Sequence, residues 1–293
     1  MTHKSGYINI IGNPNAGKST LMNALVGEKI SIITSKAQTT RHRILGIVNG
    51  DDFQMVFSDT PGIIDKPAYK MHEIMNKFID TAMLDADVML FVVDVKEKAS
   101  YETVLPKLMR TEAHVFVLLN KIDLSTQAEV EALISLWQEQ LPTAKIIPIS
   151  AAEGFNVKYV FDSILELLPV CPAYFPKDEL TDKSMRFFVT EIIREKILLN
   201  YKQEIPYSVE VAVESYEEGK DLVRIRAIIF TARESQKAIV IGKQGAAIKK
   251  TGTMARIDIE EFIGKKVYLE MAVKVNKDWR DDENVLKRFG YEA

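Results

Sequence analysis

Gly12-Asn13-Pro14-Asn15-Ala16-Gly17-Lys18-Ser19, followed by Thr20, is the stretch that decides how the chain is read. It follows an apolar run, Tyr7–Ile11, and opens a stretch, Lys18–Val26, with helical spacing. A glycine-rich turn between a strand and a helix is the context that makes this string a phosphate loop. Gly12 and Gly17 let backbone N–H groups turn inward around phosphate oxygens, and the helix N-terminus adds partial positive charge. Lys18 is expected on the β- and γ-phosphates and the Ser19 hydroxyl on Mg²⁺. The string alone says only nucleoside triphosphate; the base and the reaction must be read elsewhere.

The apolar run Val115–Leu119 leads directly into Asn120-Lys121-Ile122-Asp123. A carboxylate at Asp123 accepts from both the ring N–H and the exocyclic amine of guanine, whereas adenine offers neither at that edge and would leave it unpaired. Lys121 is expected to lay its aliphatic stem along the base, and Asn120 to tie this loop to the phosphate loop. Ser150-Ala151-Ala152 ends a last strand, where the Ala151 N–H is expected to meet the guanine carbonyl. Each of these strings ends a strand, the edge at which open α/β sheets bind ligands.

Gln54–Ser58 runs into Asp59-Thr60-Pro61-Gly62. Asp59 is expected to hold Mg²⁺ through water, and Gly62 to give its N–H to the γ-phosphate. Upstream, Gln38-Thr39-Thr40-Arg41 offers a threonine to the same metal, Thr40 in preference to Thr39. Lys18, Thr40 and Gly62 form the expected catalytic group; Ser19, Thr40 and Asp59 form the metal set. His42 is a weaker catalytic candidate. Ile63 stands where Ras-like GTPases carry a water-orienting glutamine, and its side chain can make no hydrogen bond, so turnover of roughly 10⁻⁴ to 10⁻² s⁻¹ is expected.

These motifs sit in a regular alternation. Strand candidates are 7–11, 44–48, 54–58, 88–93, 115–119 and 146–149; helix candidates are 18–26, 69–84, 101–110, 129–140 and 157–168. That order predicts a doubly wound, mostly parallel α/β sheet over residues 1–170. Pro169, Pro172 and Pro176 then break the pattern, and 171–184 reads as a linker. Residues 185–293 read differently: helix 186–199, strands 207–216 and 221–231, a short helix, a glycine turn, helix 246–262 and strand 266–274, an α+β order.

The turn between those last two helices is Ile241-Gly242-Lys243-Gln244-Gly245. A G-x-x-G loop between helices beside a sheet grips about four single-stranded nucleotides. Lys249 and Lys250 follow closely, and residues 224–280 hold 13 Lys+Arg against 6 Asp+Glu although the whole chain carries −3. A basic segment inside a mildly acidic chain indicates an RNA-binding face. Ile248, Thr251, Ala255, Ile259 and Phe262 fall at helical spacing and are read as core. One cysteine, Cys171, no signal pattern and no apolar run of membrane-spanning length lead to the expectation of a cytoplasmic chain. Peripheral membrane contact is left open.

Taken together, GNPNAGKST, QTTRHRI, SDTPG, LNKIDL, ISAAEGFN, IVIGKQGAAIK, GKKVYLEMAVKVNKDWR and the terminal FGY resemble the Era family of bacterial GTPases over essentially the whole chain. The resemblance implies a P-loop NTPase (Ras-like) domain followed by a type II KH domain. It implies binding of small-subunit ribosomal RNA near its 3′ end and a role in 30S assembly; the chain is separately expected to be a monomer. It implies hydrolysis with a hydrophobic residue at Ile63, and it puts Asn15 at a potassium position. A GTPase acting in tRNA modification is the alternative, for which a terminal KH domain is not expected. The acidic run Asp281-Asp282-Glu283 is less typical of the family.

Overall fold

The computed structural model describes residues 2–97 and 101–292 of the chain. It divides into two compact units, one mainly of residues up to Asp182 and the other from Lys183 to Glu292.

The first unit follows the order β1 (Lys4–Gly12), α1 (Lys18–Val26), β2 (Ile44–Asn49), β3 (Phe53–Asp59), α2 (Lys70–Leu84), β4 (Val88–Asp94), α3 (Leu105–Leu108), β5 (His114–Asn120), α4 (Gln127–Gln140), β6 (Lys145–Pro148) and α5 (Val157–Leu167). The six strands lie in the order β2-β3-β1-β4-β5-β6, parallel except where β2 runs against β3. Side chains on a strand alternate between faces. Ile8, Ile10, Leu90, Val92, Phe116 and Leu118 therefore join one core with α1 and α5. Ile11, Met89, Phe91, Val93, Val117 and Leu119 join a second on the opposite face, with Trp137 of α4. Burial on both faces explains why these strands read as continuous apolar runs. The chain leaves β1 toward β3 on one side and β4 on the other, so the crevice at the carboxyl end of β1 is the topological switch point.

Two expected elements are corrected. The helix expected over 101–110 is only Leu105–Leu108, because Pro106 is tolerated only in a first turn. Tyr207 and Ser208, expected in a strand, belong to a short helix led by Pro206. The stretch read as a linker lies along the first unit. Gln54, fully buried, accepts from the Tyr174 and Phe175 N–H groups at 2.7 and 3.0 Å and donates to the Phe175 carbonyl at 2.8 Å. Farther on, the Ile47 N–H donates to the Leu180 carbonyl at 2.9 Å.

The second unit comprises α6 (Met185–Asn200), α7 (Ile205–Ser208), β7 (Val209–Glu218), β8 (Leu222–Thr231), α8 (Glu234–Ile241), α9 (Ala246–Ile263), β9 (Lys266–Val275) and α10 (Glu283–Arg288). Its sheet runs β7-β8-β9, with β8 antiparallel to β7 and parallel to β9. Val189, Ile193 and Ile197 of α6 and Ala255 and Ile259 of α9 meet the sheet in one core. Thr251 is buried as expected, but Phe262 is 40% exposed, against the reading of it as core. The acidic run caps α10: Asp282 accepts from the Asn284 and Val285 N–H groups.

Candidate functional site

The phosphate loop leaves β1 at Gly12, whose φ of 150° and position against Val92 forbid a side chain; an added Cβ would lie 2.3 Å from the Val92 carbonyl. Gly17 caps α1 in the left-handed region, and a Cβ there would strike the Asn120 amide at 2.1 Å. That close approach lets Asn120 join three loops. Its Nδ2 donates to the Ala16 carbonyl at 2.7 Å and its Oδ1 accepts from the Ala151 N–H at 3.0 Å. Asn15 also lies at positive φ, with its side chain exposed beside the loop.

Lys18 is buried and spans the loop, donating to the Gly12 and Asn13 carbonyls at 3.0 and 2.8 Å. Burial brings its ammonium down to about 8, against the pull of Asp59 and Glu97. Ser19, Thr40 and Asp59, far apart in sequence, converge. Ser19 Oγ donates to Asp59 Oδ2 at 2.7 Å, Thr40 Oγ1 donates to the same oxygen at 3.2 Å, and the two hydroxyls lie 2.9 Å apart. Asp59 is completely buried, and burial raises its carboxyl above the usual range against the opposing effect of Lys18. Its Oδ1 is buried without a hydrogen-bond partner. One carboxylate with an unsatisfied oxygen beside two hydroxyls is a hard-oxygen set that suits Mg²⁺. Thr39 is turned away, donating to the Lys36 carbonyl at 2.6 Å, which favours Thr40 as the metal threonine.

The 59–62 loop presses onto the phosphate loop. Thr60 donates to the Ile10 carbonyl at 2.8 Å, and an added Cβ on Gly62 would lie 2.7 Å from Pro14. Pro61 leads the chain into that contact. A cavity of about 450 Å³ opens between these residues, lined by Lys18, Ser19, Thr20, Thr40, Gly62 and Lys121 among others. Ile63 does not line it; its side chain packs with the second core. His42 is buried beside the Phe78 ring and does not line this cavity. A larger cavity, about 870 Å³, lies at the opposite edge of the sheet near Asp87 and His114 and contains none of the motif residues.

At the base-reading end, Ser150 Oγ donates to Asp123 Oδ1 at 2.6 Å, fixing the carboxylate while leaving it exposed to a ligand. Ala152 is exposed in the next turn. The Ala151 N–H, expected to face a base carbonyl, is donated to Asn120, so a base must share or displace that bond. Lys121 pairs with Asp94 at 2.7 Å, and Asn13 donates to Glu97 at 3.2 Å. Sequence reasoning missed both acids, although Asp94 ends β4 and the strand-end rule that found Asp59 and Asp123 applies to it equally.

In the second unit, α8 ends at Gly242 with φ 72°, and an added Cβ would lie 2.6 Å from that of Ala247. Gln244 and Gly245 follow at φ 53° and 77°. These unusual conformers make a tight turn that presents Lys243 and Gln244 to solvent, with Lys249 and Lys250 exposed on the first turns of α9. Ile241 is half-buried at the base of the turn. The Tyr201 hydroxyl supports it from beneath, donating to the Val240 carbonyl at 2.7 Å.

Residues 7–121 match the family described as 50S ribosome-binding GTPase, and residues 204–280 match the KH domain. The chain is 44% identical to the GTPase Era of Clostridium kluyveri over 291 residues, covering 98% of this chain and 99% of that protein. The chain belongs to the Era family of GTPases. The Era of Alkaliphilus metalliredigens is 43% identical over the full length of both chains. An Era structure in complex with MgGDPNP and nucleotides 1506–1542 of 16S ribosomal RNA superimposes with a TM-score of 0.94 at 36% identity, covering 99% of this chain and 100% of that one. A single-residue variant of Aquifex aeolicus Era bound to GDP·AlF₄⁻ gives 0.93 at 37% identity, with the same coverage. Membership in the Era family thus spans both units, and the α/β nucleotide-binding fold followed by a KH domain stands as expected.

Proposed function

We propose that this chain binds GTP with Mg²⁺, hydrolyses it slowly to GDP and phosphate, and binds small-subunit ribosomal RNA near its 3′ end to act in 30S subunit assembly. The observation that carries the nucleotide half is the meeting of Ser19, Thr40 and Asp59 around the unsatisfied Asp59 Oδ1. Those three residues hold the metal. Mg²⁺ supplies neutralisation of charge on the β- and γ-phosphates. Lys18, driven by burial toward losing its proton, regains a counter-ion when phosphate arrives. The Gly62 N–H meets the γ-phosphate, and Asp123 with Ser150 reads guanine. Ile63, half-buried against the second core, leaves water positioning to another group and keeps intrinsic turnover low.

The RNA half rests on the exposed Lys243–Gln244 turn and on the Era structure that holds 16S ribosomal RNA. We assign nucleotide binding to 1–170, the connecting strap to 171–184 and RNA binding to 185–293. Asn15 is assigned a potassium ion, checked by replacing K⁺ with Na⁺ in the hydrolysis assay. No helix among the described residues is long and apolar enough to cross a membrane. We place the monomeric chain in the cytoplasm, with contact at the inner membrane face tested by vesicle flotation and oligomeric state by sedimentation. Single-turnover hydrolysis tests the activity. The expected rate with GTP and Mg²⁺ is roughly 10⁻⁴ to 10⁻² s⁻¹, with none above background for ATP or without metal. Equal use of ATP, or a rate above about 1 s⁻¹, contradicts it.

A further inference from the structure

Thr40 sits in a long loop between α1 and β2, and the contacts that hold this loop are unevenly placed. At its start Asn23 of α1 accepts from the Ile30 and Ser31 N–H groups at 3.0 and 2.9 Å. At its end Arg43 grips Asp85 with both terminal nitrogens, at 2.7 and 3.0 Å. Between them Thr39 staples a turn to the Lys36 carbonyl, and Gln38 takes a left-handed conformation, φ 58°, that non-glycine residues rarely adopt. Such a conformation persists only where the surroundings impose it.

Gln38 meets His72, a buried residue in the first turn of α2. Its ring is used on both sides. Nδ1 lies 3.2 Å from the Ala68 N–H and Nε2 lies 3.0 Å from the Gln38 amide. Because Nδ1 accepts from a backbone N–H, it must carry the lone pair. In the neutral ring the proton then sits on Nε2, which is a donor. A donor needs an acceptor, so the Gln38 amide presents its oxygen to the ring, the orientation in which Oε1 and Nε2 exchange places.

We propose that His72 is a positioning residue for Thr40. Its Nε2–H holds the Gln38 side chain, Gln38 keeps its left-handed turn, and the turn delivers Thr40 two residues later to within 2.9 Å of Ser19. The proposal rests on the reading of Ser19, Thr40 and Asp59 as the metal set. A histidine serving only to stabilise α2 would leave nucleotide discrimination untouched. One that positions Thr40 acts on the state that uses Thr40, with triphosphate and Mg²⁺ bound, and hardly on GDP.

A double-mutant cycle on the full-length protein separates these roles. Affinities for GDP and for GDPNP with Mg²⁺ are measured for wild type, Gln38→Ala, His72→Ala and the double variant. Each single substitution is expected to weaken GDPNP binding about fivefold to tenfold, the scale of one buried hydrogen bond, with GDP affinity within about twofold of wild type. The double variant is expected to be no more than about twofold worse than either single, because both remove the same link. Parallel losses for GDP and GDPNP, losses that multiply, or unchanged GDPNP affinity each overturn the proposal. If wild type binds GDPNP without needing Mg²⁺, the metal-set reading falls and the proposal with it. If wild type needs the metal and the variants match it, the proposal falls alone.

Discussion

Burial has already drawn the Lys18 ammonium down to about 8 before any nucleotide arrives. Phosphate oxygens beside it favour the charged form, so the bound state holds the proton to higher pH than the free state. Above pH 8 binding therefore takes up a proton, and nucleotide affinity falls with rising pH by at most about tenfold per unit. Calorimetry of GDP binding at pH 8.5 in buffers of different protonation enthalpy is expected to show uptake of a large fraction of a proton; none at that pH contradicts the assignment. What was legible at this scale were residues whose chemistry demands neighbours in sequence, such as the loop from Gly12 to Ser19 and Asn120 with Asp123. Asp94, Glu97 and the pair Gln38–His72 were not, because each acts through a partner distant in the chain and no local spacing marks it.

Among the elements, strands were legible where both faces are buried, because β4 and β5 alternate their side chains between two cores. Boundaries failed where proline sets a first turn, at Pro106 and Pro206. The C-terminal tail was seen only as a string ending in FGY, yet it is built into the KH unit. Trp279 is fully buried, with its indole N–H donating to the Ser208 carbonyl at 3.2 Å and its ring edge-on to Phe289. Tyr291 donates to Glu210 at 2.6 Å, and both are buried. The two hydrogen bonds join residues more than 70 positions apart, beyond any pattern a window along the sequence detects. Tyr291→Phe leaves the Glu210 carboxylate short of a donor and is expected to cost about 1–3 kcal/mol. Urea unfolding followed by Trp279 fluorescence in a Trp137→Phe background reads this loss in the second unit alone. An unchanged midpoint means that Glu210 finds another partner.

At the scale of the whole molecule, one chain carries a nucleotide site and a glycine turn proposed to bind RNA. The nucleotide site brings together loops from the carboxyl ends of β1, β3, β5 and β6, and the turn proposed to bind RNA needs Gly242 because Ala247 leaves no room for a side chain. The most direct measurement is crosslinking of the GDPNP-bound protein in cell extract, followed by sequencing of the attached RNA. The control is a Lys243→Glu/Lys249→Glu variant, which reverses charge at two exposed positions and leaves the glycines in place. Small-subunit ribosomal RNA near its 3′ end is expected to be recovered with the wild type and lost with the variant. Recovery of tRNA or large-subunit RNA instead, or undiminished crosslinking by the variant, would contradict this expectation.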